Sequence, residues 1–145
     1  MTELVVVLLI AVLIASMILI VAMEPGPSPS DLAIAYELAW DRLDFATIWS
    51  LSDPSMRDGR NRRDFVADKK TAYSHGLHPT NLVASAKVDE VAVSGEVAVA
   101  ITSLTLLQAA DAANAAVAQI HNEVRMARRM GRWEVSGYLL HSPQA

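Results

Sequence analysis

Cysteine is absent from the 145 residues of this chain, and its absence excludes several kinds of chemistry at once. Without cysteine there is no disulfide, no thiolate nucleophile and no cysteine-ligated zinc site. There is also no thiol near the N-terminus that could carry a lipid. The sequence therefore gives no indication of whether the surrounding compartment is oxidising or reducing.

Charge is lacking in residues 4–23, which contain no acidic or basic side chain. A helix rises about 1.5 Å per residue, so a run of this length reaches about 30 Å, the thickness of a bilayer's hydrocarbon core. The run is longer than the apolar part of a cleaved signal peptide, and no basic region precedes it. We therefore predict an uncleaved transmembrane anchor at residues 1–23 that contacts the lipid bilayer through residues 4–23. A buried core helix is the alternative.

Basic residues are also lacking around that segment, because the first lysine or arginine of the chain is Arg42. The positive-inside rule orients anchors by their flanking basic residues and has almost nothing to act on here. Short N-terminal tails before a single anchor commonly stay inside. We therefore expect a single-pass protein of the cell membrane whose remaining domain lies outside the cytoplasm.

An excess of positive charge is missing from the rest of the chain. Residues 31–145 carry 12 basic and 14 acidic side chains, which argues against nucleic acid as a partner. Basic residues do cluster between Arg57 and Lys70 and between Arg125 and Arg132. Solvated, internally paired charge is the simpler interpretation. A surface for anionic headgroups or an acidic partner is the alternative.

Proline and serine interrupt residues 24–30, which we predict to be a linker. It would join the anchor to one domain at residues 31–141, followed by a tail at residues 142–145. The end of the linker has the pattern of a helix start, because Ser28 suits the N-cap position and Pro29 the first helical position.

Helical periodicity then predicts one long helix over residues 31–52, with Glu37 among its solvent-facing side chains. Two further helix starts follow. Asp53-Pro54 opens a turn or two, and Asn61 opens a second, shorter helix.

The second half of the chain changes to the period of two that is typical of strands. Alternating runs surround Ser94-Gly95 and Met130-Gly131, so we predict four strands in two hairpins. In the third strand, Asn122 lies among apolar residues on the face expected to be dry. Helices followed by antiparallel strands predict an α+β domain: a cone of three helices packed on a curved, antiparallel four-stranded sheet.

The strand expected at residues 97–106 is apolar on both faces. One face would meet the helices, and an uncovered apolar patch on the other face usually marks an interface. We therefore predict a homodimer through the outer face of the sheet. An unknown protein partner on the same face is the alternative.

This order of elements resembles the nuclear-transport-factor-2-like superfamily, also called cystatin-like. The resemblance covers residues 31–141 and rests on three segments: the first helix ending in LDFATIWSLSDPSMRDG, the capped helix NRRDFVADKK and the closing hairpin NEVRMARRMGRWEVSGYLL. The chain is similar to the small, membrane-anchored bacterial members. The superfamily includes ketosteroid isomerases, dehydratases, polyketide cyclases and many proteins without catalytic activity, so the resemblance implies a fold but no particular reaction.

Few ionisable residues are expected inside such a cone, where enzymes of the superfamily use carboxylates or histidines. His121 shares a strand face with polar neighbours, His75 and His78 lie in a loop, and Asp44 falls on the wetter side of its helix. We therefore predict no catalytic residue, no metal site and no cofactor.

Aromatic residues make up only 6% of the sequence, and packing accounts for most of them. The candidates for lining a ligand cavity are Tyr36, Trp40, Tyr73 and Asn122, because an inward amide needs partners that a ligand or a water supplies. The predicted function is a non-catalytic, membrane-anchored accessory domain that binds a partner protein or a small apolar ligand at the membrane surface. The alternative is a small enzyme of the isomerase or dehydratase type with an acid–base residue inside the cone.

Overall fold

The computed structural model describes residues 2–23, 26–76, 78–107 and 119–141. Residues 108–118, after the second strand, and the predicted tail at residues 142–145 lie outside these ranges. Helices come first and strands follow. The elements are α1 (Thr2–Met23), α2 (Pro29–Asp41), α3 (Phe45–Leu51), a 3₁₀ turn (Pro54–Met56), α4 (Arg62–Ala72), β1 (Val83–Ser94), β2 (Val97–Leu106), β3 (Gln119–Arg129) and β4 (Arg132–His141).

The four strands form one antiparallel sheet in the order β1-β2-β3-β4. The first hairpin turns at Gly95, where φ is +59°. The last turns at Met130 and Gly131, with φ of +47° and +80°, as expected of a two-residue hairpin loop with positive φ at both positions. The α+β class, the four antiparallel strands and both predicted turns are confirmed.

The first helix corrects the prediction of a transmembrane anchor. Within the described residues, no helix is both long and apolar enough to cross a membrane. The prediction of a transmembrane helix is therefore wrong for the part of the chain that the structure describes.

The single long helix predicted for residues 31–52 is also wrong, because the chain breaks it between α2 and α3. Leu43 has a φ of +50°, which a continuous helix does not allow. Asp44 then caps α3 by accepting a hydrogen bond from the Thr47 N–H at 3.1 Å. The hydrogen bonds from Thr47 hold the pKa of the exposed Asp44 carboxyl below its ordinary value.

The other predicted helix starts are confirmed by their caps. Ser28 accepts from the Asp31 N–H at 3.2 Å, and Pro29 occupies the first turn of α2. Asn61 caps α4 by accepting from the Asp64 N–H at 3.0 Å. Each cap satisfies one of the N–H groups that a helix start leaves unpaired.

The core lies between the helices and the inner face of the sheet. The buried apolar residues of this layer are Leu32, Ala33, Tyr36, Ala39, Phe45, Ile48, Phe65, Ala98, Ala100, Val124, Met126 and Val135. Helix α2 crosses this face and contacts β1, β2 and β4. A polar side chain at the same depth on α2 must therefore find its hydrogen bonds within the sheet.

The outer face of the sheet carries Val97, Val99 and Ile101, as the alternation of β2 predicts. It also carries charge, because Arg125 and Glu123 form an ion pair at 2.6 Å on the neighbouring strand. The proposed homodimer through this face stays a prediction.

Candidate ligand-binding site

Glu37 lies in the buried layer, with 1% of its surface exposed, so the prediction that it faces solvent is wrong. Residues four apart share one face of a helix, and Glu37 follows the buried Ala33 by one turn. Opposite Glu37, the sheet presents Thr102 and Asn122, which are direct cross-strand partners on β2 and β3. The sheet thus supplies hydrogen-bond donors where α2 brings a carboxylate.

Three neutral side chains donate hydrogen bonds to the Glu37 carboxylate. The Thr102 hydroxyl donates to Oε1 at 2.5 Å. The Asn122 Nδ2 lies 3.1 Å from Oε1 and 3.2 Å from Oε2, and the Tyr138 hydroxyl donates to Oε2 at 2.6 Å. We call these four residues the Glu37 network. It satisfies a buried carboxylate with hydrogen bonds alone.

Tyr138 joins the network from β4, where it is half-buried. Its hydroxyl oxygen also accepts a hydrogen bond from the Asn122 Nδ2 at 2.8 Å. Burial, together with the neighbouring Glu37 carboxylate, raises the pKa of the Tyr138 phenol well above its ordinary value. A neutral phenol that donates to Glu37 is therefore part of the folded structure.

The raised pKa predicts that the protein loses stability at alkaline pH. An unfolded chain releases the tyrosine proton near pH 10, while the folded chain keeps it to higher pH, so the stabilisation is complete below about pH 10 and is lost as the pH rises above it. We expect the free energy of unfolding, measured by urea denaturation between about pH 8 and 11, to fall more steeply in the natural protein than in Tyr138→Phe. Parallel pH profiles for the two proteins would contradict this.

Two polar atoms beside the network have no hydrogen-bond partner among the described residues. They are Oδ1 of Asn122 and Nε1 of Trp40, and both are buried. Folded proteins pair most buried polar atoms, so each unpaired one calls for an explanation. One acceptor and one donor next to the Glu37 network are thus buried without a hydrogen-bond partner among the described residues.

Two adjoining cavities lie at this point. The inner cavity is a cleft of about 200 Å³ that opens to solvent beside the exposed Leu140; it is lined by Glu37, Trp40, Asp41, Leu82, Val83, Leu104, Leu106, Ile120, Asn122, Tyr138 and Leu140. The aromatic cavity, of about 240 Å³, is lined by Trp40, Tyr73, Tyr138 and Leu140. The two share Trp40, Tyr138 and Leu140. An apolar cavity of about 150 Å³ holds benzene, so either has room for a small ring.

The structure brings three of the four predicted ligand-binding residues to these cavities. Asn122 lines the inner cavity, Tyr73 the aromatic cavity and Trp40 both. Tyr36 lies in the core at 1% exposure and lines neither of the two. Its ring packs edge-on against Tyr138, with centroids 5.5 Å apart.

The sequence patterns did not indicate that three residues belong to this site: Glu37, Thr102 and Tyr138. Thr102 alternates in register with Ala98 and Ala100, so its inward position was available from the strand period. The burial of Glu37 was not predicted, because an isolated carboxylate on an amphipathic helix is normally solvated. Only the partners from the sheet explain why it is buried.

Residues dismissed as catalytic candidates have other contacts. Asp44 is a helix cap, and the ring of His78 packs on Tyr73 with centroids 4.5 Å apart. The Ser103 hydroxyl lies 2.9 Å from His121 Nδ1, and Asp89 Oδ2 lies 3.7 Å from the same nitrogen. A catalytic triad needs its hydroxyl and its carboxylate on opposite ring nitrogens, so this arrangement on the outer face is not one.

The basic clusters are partly neutralised by acidic neighbours, in agreement with the simpler interpretation of their charge. The pairs include Arg60–Asp68 at 3.4 Å, Lys69–Asp58 at 3.2 Å and Arg129–Asp53 at 3.3 Å.

Solved structures share this fold. A SEC-C motif containing protein from Rhodopseudomonas palustris superposes with a TM-score of 0.51 and 16% identity, over 79% of this chain and 80% of that chain. A Campylobacter jejuni protein named as an NTF2-like transpeptidase superposes with a TM-score of 0.50 and 15% identity, over 77% of this chain and 99% of that chain. At such identities the likeness shows the fold alone. The domain shares its fold with a protein named as NTF2-like, in agreement with the fold that the resemblance implied.

A domain of unknown function with a cystatin-like fold, from Nostoc punctiforme, is more distant. Its TM-score is 0.41 at 14% identity, over 59% of this chain and 52% of that chain. No protein-family model matches the sequence, and no curated protein is significantly similar to it.

Proposed function

We propose that this domain is a non-catalytic binding module that holds a small apolar molecule in the inner cavity. One observation carries the proposal: a cavity of about 200 Å³ with mostly aliphatic and aromatic walls is lined by Asn122, whose buried Oδ1 has no hydrogen-bond partner among the described residues. Small-molecule sites are mostly apolar concavities with a few placed polar groups that fix orientation. The inner cavity has this composition.

The hydrogen bonds of Glu37 support binding over catalysis. A general base needs a lone pair that can reach the substrate's proton. Both oxygens of Glu37 already accept hydrogen bonds, from Thr102 and Asn122 on one side and from Tyr138 and Asn122 on the other. The carboxylate therefore serves to orient Asn122 and Tyr138 at the cavity wall.

Titration with toluene tests the binding function. We expect toluene to shift the methyl NMR resonances of the cavity residues, such as Leu104 and Ile120, in a saturable way. Ile120→Trp fills the inner cavity and should weaken binding about tenfold or more, since a packed site has no room for both. Ile101→Trp, on the outer face of the same sheet, is the matched control and should leave binding unchanged. Resonances that do not move at millimolar toluene would refute the proposal.

An acid–base enzyme is the second candidate, because Glu37 and Tyr138 both line the inner cavity. A carboxylate and a phenol at an apolar wall are groups that proton-transfer enzymes use. Cyclohexanone in heavy water separates the two functions. A binding module leaves its α-protons in place, whereas an enzyme would exchange them for deuterium and would lose that activity in Glu37→Gln.

A further inference from the structure

We propose that the inner cavity selects a neutral apolar molecule with a hydroxyl group, and that this hydroxyl donates a hydrogen bond to Oδ1 of Asn122. The inference rests on the proposed function and names the ligand class of the same cavity.

The orientation of the Asn122 amide is determined by Glu37. A carboxylate accepts hydrogen bonds and cannot donate them, so the amide must turn its NH₂ group toward it. That group lies 3.1 and 3.2 Å from the two Glu37 oxygens and 2.8 Å from the Tyr138 hydroxyl. The amide oxygen is thereby left without a partner among the described residues, in a side chain that is 1% exposed.

An open acceptor selects a donor. A carboxylic acid would have to enter as an anion beside Glu37, and like charges repel at this distance. An ammonium ion would be attracted by Glu37, but both carboxylate oxygens already accept hydrogen bonds, and the mostly apolar walls would remove the hydration of the cation. A neutral hydroxyl avoids both costs. It can also accept a hydrogen bond, and Trp40, whose buried Nε1–H has no partner in the described part of the chain, lines the same cavity.

The inference predicts an order of affinities among ring compounds of nearly equal size. With the full chain and NMR titration, phenol should bind about tenfold or more tightly than toluene and anisole, because a site that hydrogen-bonds a hydroxyl discriminates against analogues without one. Benzoate should not bind at comparable concentrations.

Each outcome of the titration separates the two proposals. Equal affinities for phenol and toluene would overturn the hydroxyl assignment and leave the proposed function standing. Binding of benzoate as tight as that of phenol would overturn the assignment too. Failure of all four compounds to bind would overturn both proposals, with water as the partner of Asn122.

Two variants test whether the preference for phenol over toluene depends on Oδ1 of Asn122. Asn122→Leu removes the open acceptor and should abolish the preference for phenol over toluene. Thr105→Val is the matched control, because Thr105 lies on the outer face of β2, outside the Glu37 network and outside the lining of both cavities, and it should keep the preference. A preference that survives in Asn122→Leu, or disappears in Thr105→Val, would overturn the assignment to Oδ1. If Asn122→Leu does not fold, the comparison of phenol with toluene in the natural protein still decides.

Discussion

Replacing Glu37 with leucine is expected to lower the free energy of unfolding by about 3 kcal/mol or more, because three buried donors each lose an acceptor. Leucine has nearly the same size but accepts no hydrogen bond. The Thr102 hydroxyl, the Asn122 amide and the Tyr138 hydroxyl would then each lose an acceptor inside the core. A buried donor without a partner costs about 1–3 kcal/mol, partly offset because a buried charge is also removed.

Urea denaturation of Glu37→Leu beside Glu90→Leu measures this effect. Glu90 is exposed on β1, and such surface changes usually alter stability by about 0.5 kcal/mol or less. Glu37→Gln keeps one acceptor and should fall between the two. A loss of less than about 1 kcal/mol in Glu37→Leu would mean that the network does not hold this carboxylate.

Local chemistry made much of the fold predictable. Asn61 and Ser28 satisfy the first N–H groups of their helices, and Gly95 and Gly131 adopt the positive φ of tight hairpin turns. These features depend on residues a few positions apart, which a sequence displays directly. The break at Leu43 was not predicted. Leu43 fits the helical period of apolar residues, and that period gives no indication that its backbone adopts the left-handed region.

A residue of the site could be predicted only where the alternation of a single strand shows that it faces inward. Asn122 stands out as a lone amide on an apolar strand face, and the structure places it at the cavity. Glu37 does not, because its burial depends on Thr102, 65 positions away, and on Tyr138, 101 positions away. Periodicity describes one element at a time, whereas the network joins α2 to three different strands.

Truncating Tyr36 to alanine should cost about 3–5 kcal/mol, as for other large buried aromatic side chains, because it opens a cavity that the helices and sheet cannot close. Tyr36 is 1% exposed and packs edge-on against Tyr138 and Trp40, with ring centroids 5.5 and 6.4 Å away. The same change should loosen both cavity walls, so toluene binding should weaken together with stability. Tyr36→Phe keeps the ring and should cost about 1 kcal/mol or less. Urea denaturation checks the order of the two variants, and similar stabilities for both would place the Tyr36 ring outside the core.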